Sequence, residues 1–128
     1  MLTHSPKPTA SELEILHVLW ERGPSTVREV HQALSVKRPM GYTSVLKLMQ
    51  IMTAKGTLRR NEEQRAHVYE AVQTAEKTKR QLALDVLQRV FDGSASQLMM
   101  HALADRKASK EEVDELRRLL NDYERKLR

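Results

Sequence analysis

The sequence predicts a mainly α-helical protein with one small β-hairpin, and three observations support this fold class. Hydrophobic residues recur three and four apart over most of the 128 residues, which is the period of an amphipathic helix. Ser or Thr precedes Glu by three residues at several points, and this is the spacing of a capping box at the start of a helix. Only residues 57–71 change to two short runs typical of strands, with a charged turn between them.

Two helices are predicted before residue 36. Ser11 and Glu14 have the capping-box spacing that predicts the start of the first helix, and Gly23-Pro24 ends it. Its hydrophobic residues lie at helical spacing: Leu13, Leu16 and Trp20 on one face, with Ile15 and Leu19 beside them. Thr26 and Glu29 open the second helix in the same way. Its expected buried residues are Val27, Val30 and Leu34.

The third helix is predicted within GYTSVLKLMQIMTAKG, residues 41–56. Its buried face spans about 80° of the helix surface and consists of Val45, Leu48, Met49 and Met52. The opposite face carries Thr43, Lys47, Gln50 and Ala54, with Ser44 at its margin. We expect Thr43 or Ser44 to be the N-cap, and Gly56 to end the helix in the left-handed conformation.

Two short strands are predicted after the third helix. They are TLRR, residues 57–60, and AHVYEA, residues 66–71, and the charged turn NEEQR joins them. Three helices followed by a hairpin are the element order of a winged helix-turn-helix, which we assign to residues 1–73.

From residue 74 onward the sequence predicts helices only. They cover residues 75–91, a short segment begun by Ser94, and a last helix begun by Ser109. The last helix carries hydrophobic residues alternately three and four apart, which is the a/d spacing of a helix–helix seam. These residues are Val113, Leu116, Leu120, Tyr123 and Leu127. We therefore predict that residues 74–128 form a three-helix domain whose last helix carries an apolar seam.

The positive charge of the chain is concentrated around the third helix. Between Lys37 and Arg65 the sequence has seven basic and two acidic residues, so this window alone carries the whole net charge of +5. A local basic patch beside a helix is the electrostatic footprint expected for contact with nucleic-acid phosphates. The alternative is a solvated surface with an uneven distribution of charge.

The exposed face of the third helix has side chains suited to DNA. Short hydroxyl side chains at the helix start allow close approach of the backbone, and the first-turn amides favour a phosphate. Arginines of the hairpin would contact the sugar-phosphate backbone or the minor groove, with Arg59 next to Arg60. The predicted DNA-binding residues are Tyr42, Thr43, Ser44, Lys47, Gln50, Arg60 and Arg65.

Other function classes are excluded or disfavoured. The chain has no cysteine, which excludes disulfides and cysteine-based metal or redox sites. Its five histidines are scattered, and we predict no metal site. No glycine-rich phosphate loop, nucleophile elbow or triad is found, so we expect neither an enzyme nor a bound cofactor. Because there is no signal peptide and no apolar run of about 20 residues, we expect a cytoplasmic protein without a membrane segment.

Five segments carry a resemblance to a known family. In chain order they are SELEILHVLWERGPSTVREVHQAL, YTSVLKLM with the KG that ends its helix, HVYEAV, FDGSASQLM and EEVDELRRLL. With these segments, the chain from about Thr9 to Leu127 resembles the penicillinase-repressor family (BlaI, MecI and CopY proteins), whose members are dimeric winged-helix repressors of dyad operators. The resemblance implies that Thr43, Ser44 and Lys47 lie at DNA-reading positions and that the helices after Thr74 form the dimerisation domain.

The resemblance also implies a sensor protease as a candidate partner. The best-known members are inactivated when a membrane sensor protease that responds to β-lactams cleaves their dimerisation domain. This chain departs from the pattern at Met99–Ala102, where the usual Asn-Phe pair is absent, and at Ile51, where many relatives have Arg. The cysteine pairs of copper-responsive relatives are absent as well.

We therefore predict a homodimeric, sequence-specific repressor that blocks polymerase at a dyad operator of a resistance or stress-response operon. One alternative is a non-specific, nucleoid-type DNA-binding protein, which would show salt-sensitive binding with little sequence preference. The other is a protein-interaction adaptor with a winged-helix fold, which would not need the basic window.

Overall fold

The computed structural model describes residues 7–37, 39–105 and 107–128. Within them lie six α-helices and one β-hairpin: α1 Ala10–Arg22, α2 Val27–Ser35, α3 Tyr42–Lys55, β1 Leu58–Asn61, β2 Val68–Ala71, α4 Ala75–Phe91, α5 Ala95–Ala104 and α6 Lys110–Lys126. The predicted fold class, mainly α with one small hairpin, is confirmed. The chain divides into two compact units, the first ending at Leu82 and the second beginning at Ala83. The assignment of residues 1–73 and 74–128 to two separate functions stays a prediction.

Helix α1 begins earlier than the sequence predicts. Its N-cap is Thr9, whose hydroxyl accepts the Glu12 backbone N–H at 3.2 Å, while Glu12 Oε1 accepts the Thr9 backbone N–H at 3.1 Å. The predicted capping box of Ser11 and Glu14 is therefore wrong. Both pairs have the same spacing, but Glu12 has an additional partner in the Lys55 ammonium, 2.9 Å from Oε2. This contact from a distant helix favours the earlier start.

The predicted N-caps of α2, α5 and α6 and the predicted end of α3 agree with the structure. Thr26 and Glu29 form the reciprocal capping box of α2, and the hydroxyls of Ser94 and Ser109 cap α5 and α6. Gly56 ends α3 with φ 86° and ψ 8°, the left-handed conformation that was predicted.

One hydrophobic core lies within the first compact unit. It is formed by α1, α2, α3 and the hairpin, and its buried members are Ile15, Leu16, Leu19, Val27, Val30, Leu34, Val45, Met49, Met52, Leu58 and Tyr69. The predicted buried residues of α2 are confirmed, and those of α3 are buried except for Leu48, which is half-buried. On α1 the buried face is not the predicted one: Ile15 and Leu19 are buried, while Leu13 and Trp20 are only partly covered. Each buried aliphatic or Met side chain contributes about 1.5–3 kcal/mol to folding.

The hairpin is attached to the helices at two points. Strands β1 and β2 are antiparallel, with Arg59 opposite Glu70 and Arg60 opposite Tyr69. Ser25, in the turn between α1 and α2, exchanges two backbone hydrogen bonds with Tyr69, at 2.9 and 2.8 Å. The Trp20 indole N–H donates to the Gln73 carbonyl at 3.0 Å. The position of the hairpin beside the helices is therefore fixed by backbone groups as well as by side-chain packing.

The second compact unit contains the end of α4 together with α5 and α6. Within the described ranges, neither α5 nor α6 has a buried residue. Large hydrophobic side chains of this unit are exposed instead: Leu84, Val86, Val90, Met99, Met100, Leu103, Leu119, Leu120, Tyr123 and Leu127. A single chain thus leaves much of the apolar surface of these helices in contact with water.

Candidate nucleic-acid interface

Helix α3 has two faces with different surroundings. Val45, Met49 and Met52 are fully buried against the core. The predicted contact residues of this helix are all exposed: Tyr42, Thr43, Ser44, Lys47 and Gln50. The helix can therefore dock on its own domain through one face and offer hydroxyl, ammonium and amide groups on the other.

The N-terminus of α3 differs from the prediction. The N-cap is Gly41, with φ −66° and ψ 149°, and no side chain caps the helix there. The expectation that Thr43 or Ser44 would be the N-cap is wrong, because the helix already begins at Tyr42. The Tyr42 ring contacts the His31 ring of α2 edge to face, with 5.7 Å between centroids, and this contact favours a helical position for Tyr42.

Because no side chain caps α3, its N-terminus can bind an anion. Thr43 and Ser44 occupy the second and third helical positions, and first-turn amides have no intrahelical acceptor. At most other helix starts of this chain a Ser or Thr hydroxyl accepts such an amide, whereas glycine cannot. The amides of α3 and the positive end of its dipole therefore face outward next to two exposed hydroxyls.

Lys47 and Gln50 lie on successive turns of the exposed face. Neither forms an ion pair or a side-chain hydrogen bond with another residue that the structure describes. Both side chains are thus available to a partner outside the chain.

The arginines of the hairpin have internal partners. Arg59 Nε lies 2.9 Å from Glu70 Oε1. Arg60 Nε donates to Glu62 Oε2 at 2.8 Å. Hydrogen bonding to the Tyr69 side chain, followed by that to Glu62, raises the pKa of Arg60 above its ordinary value. Arg65 lies in the exposed turn and forms no ion pair within the described ranges.

These ion pairs reduce the positive charge that the basic window, residues 37–65, can offer to a partner. Lys55, Arg59 and Arg60 each have a carboxylate partner, and two of the partners, Glu12 and Glu70, lie outside residues 37–65. Arg38 lies outside the described residues. Among the rest of the window, the cations without an ion pair to a described residue are Lys37, Lys47 and Arg65. Counting charges along the sequence therefore overestimates the positive charge that is directly available.

Sequence reasoning missed Glu12 and Glu70 as the ion-pair partners of Lys55 and Arg59. Glu70 could have been found from the hairpin register, which places it opposite Arg59. Glu12 could not, because its partner Lys55 lies 43 residues further along the chain, on a different helix.

The predicted dimerisation residues lie on α6, except Leu127, which is its C-cap. Leu120, Tyr123 and Leu127 are 62–72% exposed, while Val113 and Leu116 are half-buried. They form a continuous apolar stripe flanked by charged residues, as the a/d spacing predicts.

The parts of the chain that the structure describes contain neither a metal-binding cluster nor a membrane-spanning helix. No group of three or more His, Asp or Glu side chains there could hold a metal ion. None of the described helices is both long enough and apolar enough to span a bilayer.

A three-helix core, an attached hairpin and an exposed third helix define this chain as a winged helix-turn-helix protein. A solved MarR family protein from Bacillus stearothermophilus has the same general fold, with a TM-score of 0.51 and 18% identity over 93% of this chain and 74% of that one. The family model of the penicillinase repressors matches residues 8–122. The chain belongs to the penicillinase-repressor family.

Curated relatives agree with this assignment. The transcriptional regulators BlaI of two Mycobacterium tuberculosis strains, CDC 1551 / Oshkosh and ATCC 25618 / H37Rv, are each 32% identical to this chain over 114 residues. The match covers 88% of this chain and 82% of each relative. The family and these relatives are transcriptional regulators and not enzymes, so the predictions of family and of a non-enzymatic regulator are confirmed.

Proposed function

We propose that the chain is a sequence-specific, homodimeric repressor that binds a dyad operator through α3 and the hairpin. The observation that carries the proposal is the exposed face of α3, which combines an N-terminus without a side-chain cap, two hydroxyls and Lys47, which has no ion pair with a described residue. Thr43 and Ser44 would contact phosphate or base edges, and Lys47 and Gln50 would reach acceptors in the major groove. Tyr42, Arg60 and Arg65 would contact the backbone on either side.

The second copy is proposed from the apolar surface of the second compact unit. The stripe from Val113 to Leu127 would pair with its counterpart, which removes apolar side chains from water. A two-fold dimer presents two α3 helices to one face of a duplex, one or two helical turns apart. If the dimer neutralises roughly 8 phosphates, the slope of log binding constant against log salt concentration is about −7.

The experiment that tests the proposal is selection of bound sequences from a random DNA pool at near-physiological salt. A recovered inverted repeat would support a dimeric, sequence-specific repressor, and its genomic positions would show whether a resistance or stress-response operon is controlled. Salt-sensitive binding without any enriched sequence would favour the nucleoid-type alternative. Failure to bind any duplex would favour the adaptor.

A sensor protease is proposed as a candidate releasing partner. Met99–Ala102, which match the region cleaved in the family, lie within α5, and Met99 and Met100 are exposed. Co-expression with such a protease, followed by intact-mass measurement, tests the partner. A cut within or beside Met99–Ala102 would support release by proteolysis, and an intact chain under inducing conditions would exclude it.

A further inference from the structure

The ion pairs around the proposed DNA-binding surface fall into two kinds by exposure. In the pair between Lys55 and Glu12 the carboxylate side chain is 3% exposed, whereas in the pair between Arg59 and Glu70 the side chains are 63% and 44% exposed. A buried carboxylate that loses its cation leaves an uncompensated charge in the interior, so the first pair keeps its partner. An exposed pair contributes little to stability and can exchange its partner at low cost.

The hairpin geometry directs Arg59 and Glu70 toward solvent. Residues directly opposite each other in an antiparallel pair lie on the same face, and successive residues alternate between faces. Leu58 and Tyr69 are buried, so they point toward the core. Arg59 and Glu70 are the neighbours of these two residues along β1 and β2, and they point the other way. Arg60, which shares the core side with Tyr69, is the less exposed arginine, with a side-chain exposure of 34%.

A carboxylate and a phosphate use the same donors of a guanidinium group. Both can accept two parallel N–H bonds from one arginine, one of them from Nε, so this two-bond arrangement is closed to a phosphate while Glu70 occupies Nε of Arg59. The Glu70 contact joins Arg59 Nε to Oε1 at 2.9 Å, which places the carboxylate where a phosphate oxygen would bind.

We propose that Glu70 is an internal competitor for DNA phosphates, which limits the sequence-independent part of the affinity by occupying Arg59. The inference rests on the proposed DNA-binding function. Phosphate contacts carry almost all of non-specific binding, whereas base-edge contacts from α3 carry the sequence preference. Glu70 therefore weakens the binding of every sequence by a similar factor and leaves the preference among sequences to α3.

The test is the Glu70→Gln variant of the full chain, titrated by fluorescence anisotropy into an unrelated duplex and into the selected operator over a salt series. If each protomer gains one phosphate contact, the log-log salt slope becomes steeper by about 0.9 per protomer, so each fourfold lowering of the salt concentration should raise the affinity of the variant relative to the wild type by a further factor of roughly 3.5 per protomer. The rise is expected to be similar for both duplexes. Glu70→Ala, which also removes the residual hydrogen bond to Arg59, should act in the same direction.

Two controls separate this competition from a general change in charge. Glu63→Gln removes the same charge from the hairpin turn, where Glu63 makes no ion pair with a described residue, and should change the affinity much less. In an Arg59→Gln background, adding Glu70→Gln should change the affinity no more than Glu63→Gln does, because the arginine that it releases is absent.

The outcomes distinguish this inference from the proposed function. If Glu70→Gln and Glu63→Gln act equally, or if the Glu70→Gln effect persists without Arg59, competition is excluded while sequence-specific binding stands. If the wild-type chain binds no duplex, both proposals fail. Thermal unfolding of each variant checks that the hairpin is intact.

Discussion

Lys47 and Lys55 lie two turns apart on α3 and carry the same charge, but their surroundings give them different roles. Lys47 is exposed and has no ion pair with any residue that the structure describes. The Lys55 ammonium lies 2.9 Å from a carboxylate of Glu12, which is buried. We expect the first lysine to affect binding and the second to affect stability.

Lys47→Ala is expected to weaken operator binding by about 1–3 kcal/mol, the size of one lost base contact. The free energy of unfolding should change little, since the side chain is exposed. An anisotropy titration measures the first effect and urea unfolding the second. Lys79→Ala, which removes an exposed lysine of α4, is the control for net charge. Equal effects of the two substitutions would remove Lys47 from the contact surface.

Lys55→Met is expected to lower the free energy of unfolding by about 1–3 kcal/mol, because the buried Glu12 carboxylate loses a charged donor. The Glu12 carboxylate would lose the Lys55 ammonium and keep the hydrogen bond from the Thr9 backbone N–H. Urea unfolding of Lys55→Met and of Lys47→Met compares the same substitution with and without a buried partner. If both variants are equally stable, the pair with Glu12 is not important for folding.

At the scale of secondary structure elements, Gly41 at the start of α3 is expected to affect both the stability of the helix and the proposed DNA binding. Gly41 occupies the N-cap with an extended backbone that any residue can adopt, and a Cβ added there would meet no atom of the described residues within 4 Å. A better cap is therefore sterically allowed. Its absence leaves the first-turn amides to a phosphate in the proposed complex.

Gly41→Ser should stabilise the chain by roughly 0.5 kcal/mol and at the same time weaken DNA binding, because its hydroxyl would accept an amide that a phosphate needs. Gly41→Ala adds the Cβ without a capping oxygen and is the matched control for binding. Urea unfolding and anisotropy titration measure the two effects separately. DNA binding of Gly41→Ser at wild-type strength would exclude a phosphate at this helix start.

The capping box of α2 predicts a pH dependence. The hydrogen bond from the Thr26 backbone to Glu29 is the main cause that holds the pKa of Glu29 below its ordinary 4.5, and the Arg22 guanidinium adds to it. A carboxylate whose pKa is lowered in the folded state stabilises the protein above its ordinary pKa, and this contribution is lost as the pH falls through the lowered value. Below pH 4.5 the urea midpoint of the wild type should fall more steeply than that of Glu29→Gln. Parallel curves would exclude a role for Glu29 ionisation.

The elements themselves could be predicted from the sequence more reliably than their contacts. Helical periodicity correctly identified the buried face of α3, because one side chain in three or four must pack on the core. The start of α1 could not be placed by spacing alone, since Ser11 with Glu14 and Thr9 with Glu12 fit the same motif. In the structure Glu12 also pairs with Lys55, which is 43 residues away, a contact that exists only after folding. Sequence patterns could not supply that contact, whereas Glu70 could have been found from the hairpin register.

At the scale of the whole molecule, the two compact units differ in how they bury apolar surface. The first unit encloses a core of helices and hairpin. In the second, apolar side chains of α4, α5 and α6 remain exposed in the single chain. A unit that leaves this much apolar surface in water is expected to gain stability by association.

Leu120→Asp should dissociate the proposed dimer, because it places a charge in an apolar seam. Sedimentation at micromolar concentration measures the oligomeric state. Asn121→Asp adds the same charge at the next residue, about 100° further around the helix, and is expected to leave the dimer intact. A dimer that survives Leu120→Asp would show that the stripe from Val113 to Leu127 is not the interface.

Trp20 is the only tryptophan of the chain, and its indole N–H donates to the Gln73 carbonyl in the first compact unit. Its fluorescence emission is therefore a natural optical reporter of that unit alone, whereas far-ultraviolet circular dichroism records helices of both units. Denaturation followed by both signals would coincide if the chain unfolds as one cooperative body. Separate transitions would mean that the second unit, α5 and α6 included, can unfold while the surroundings of this single fluorophore remain folded.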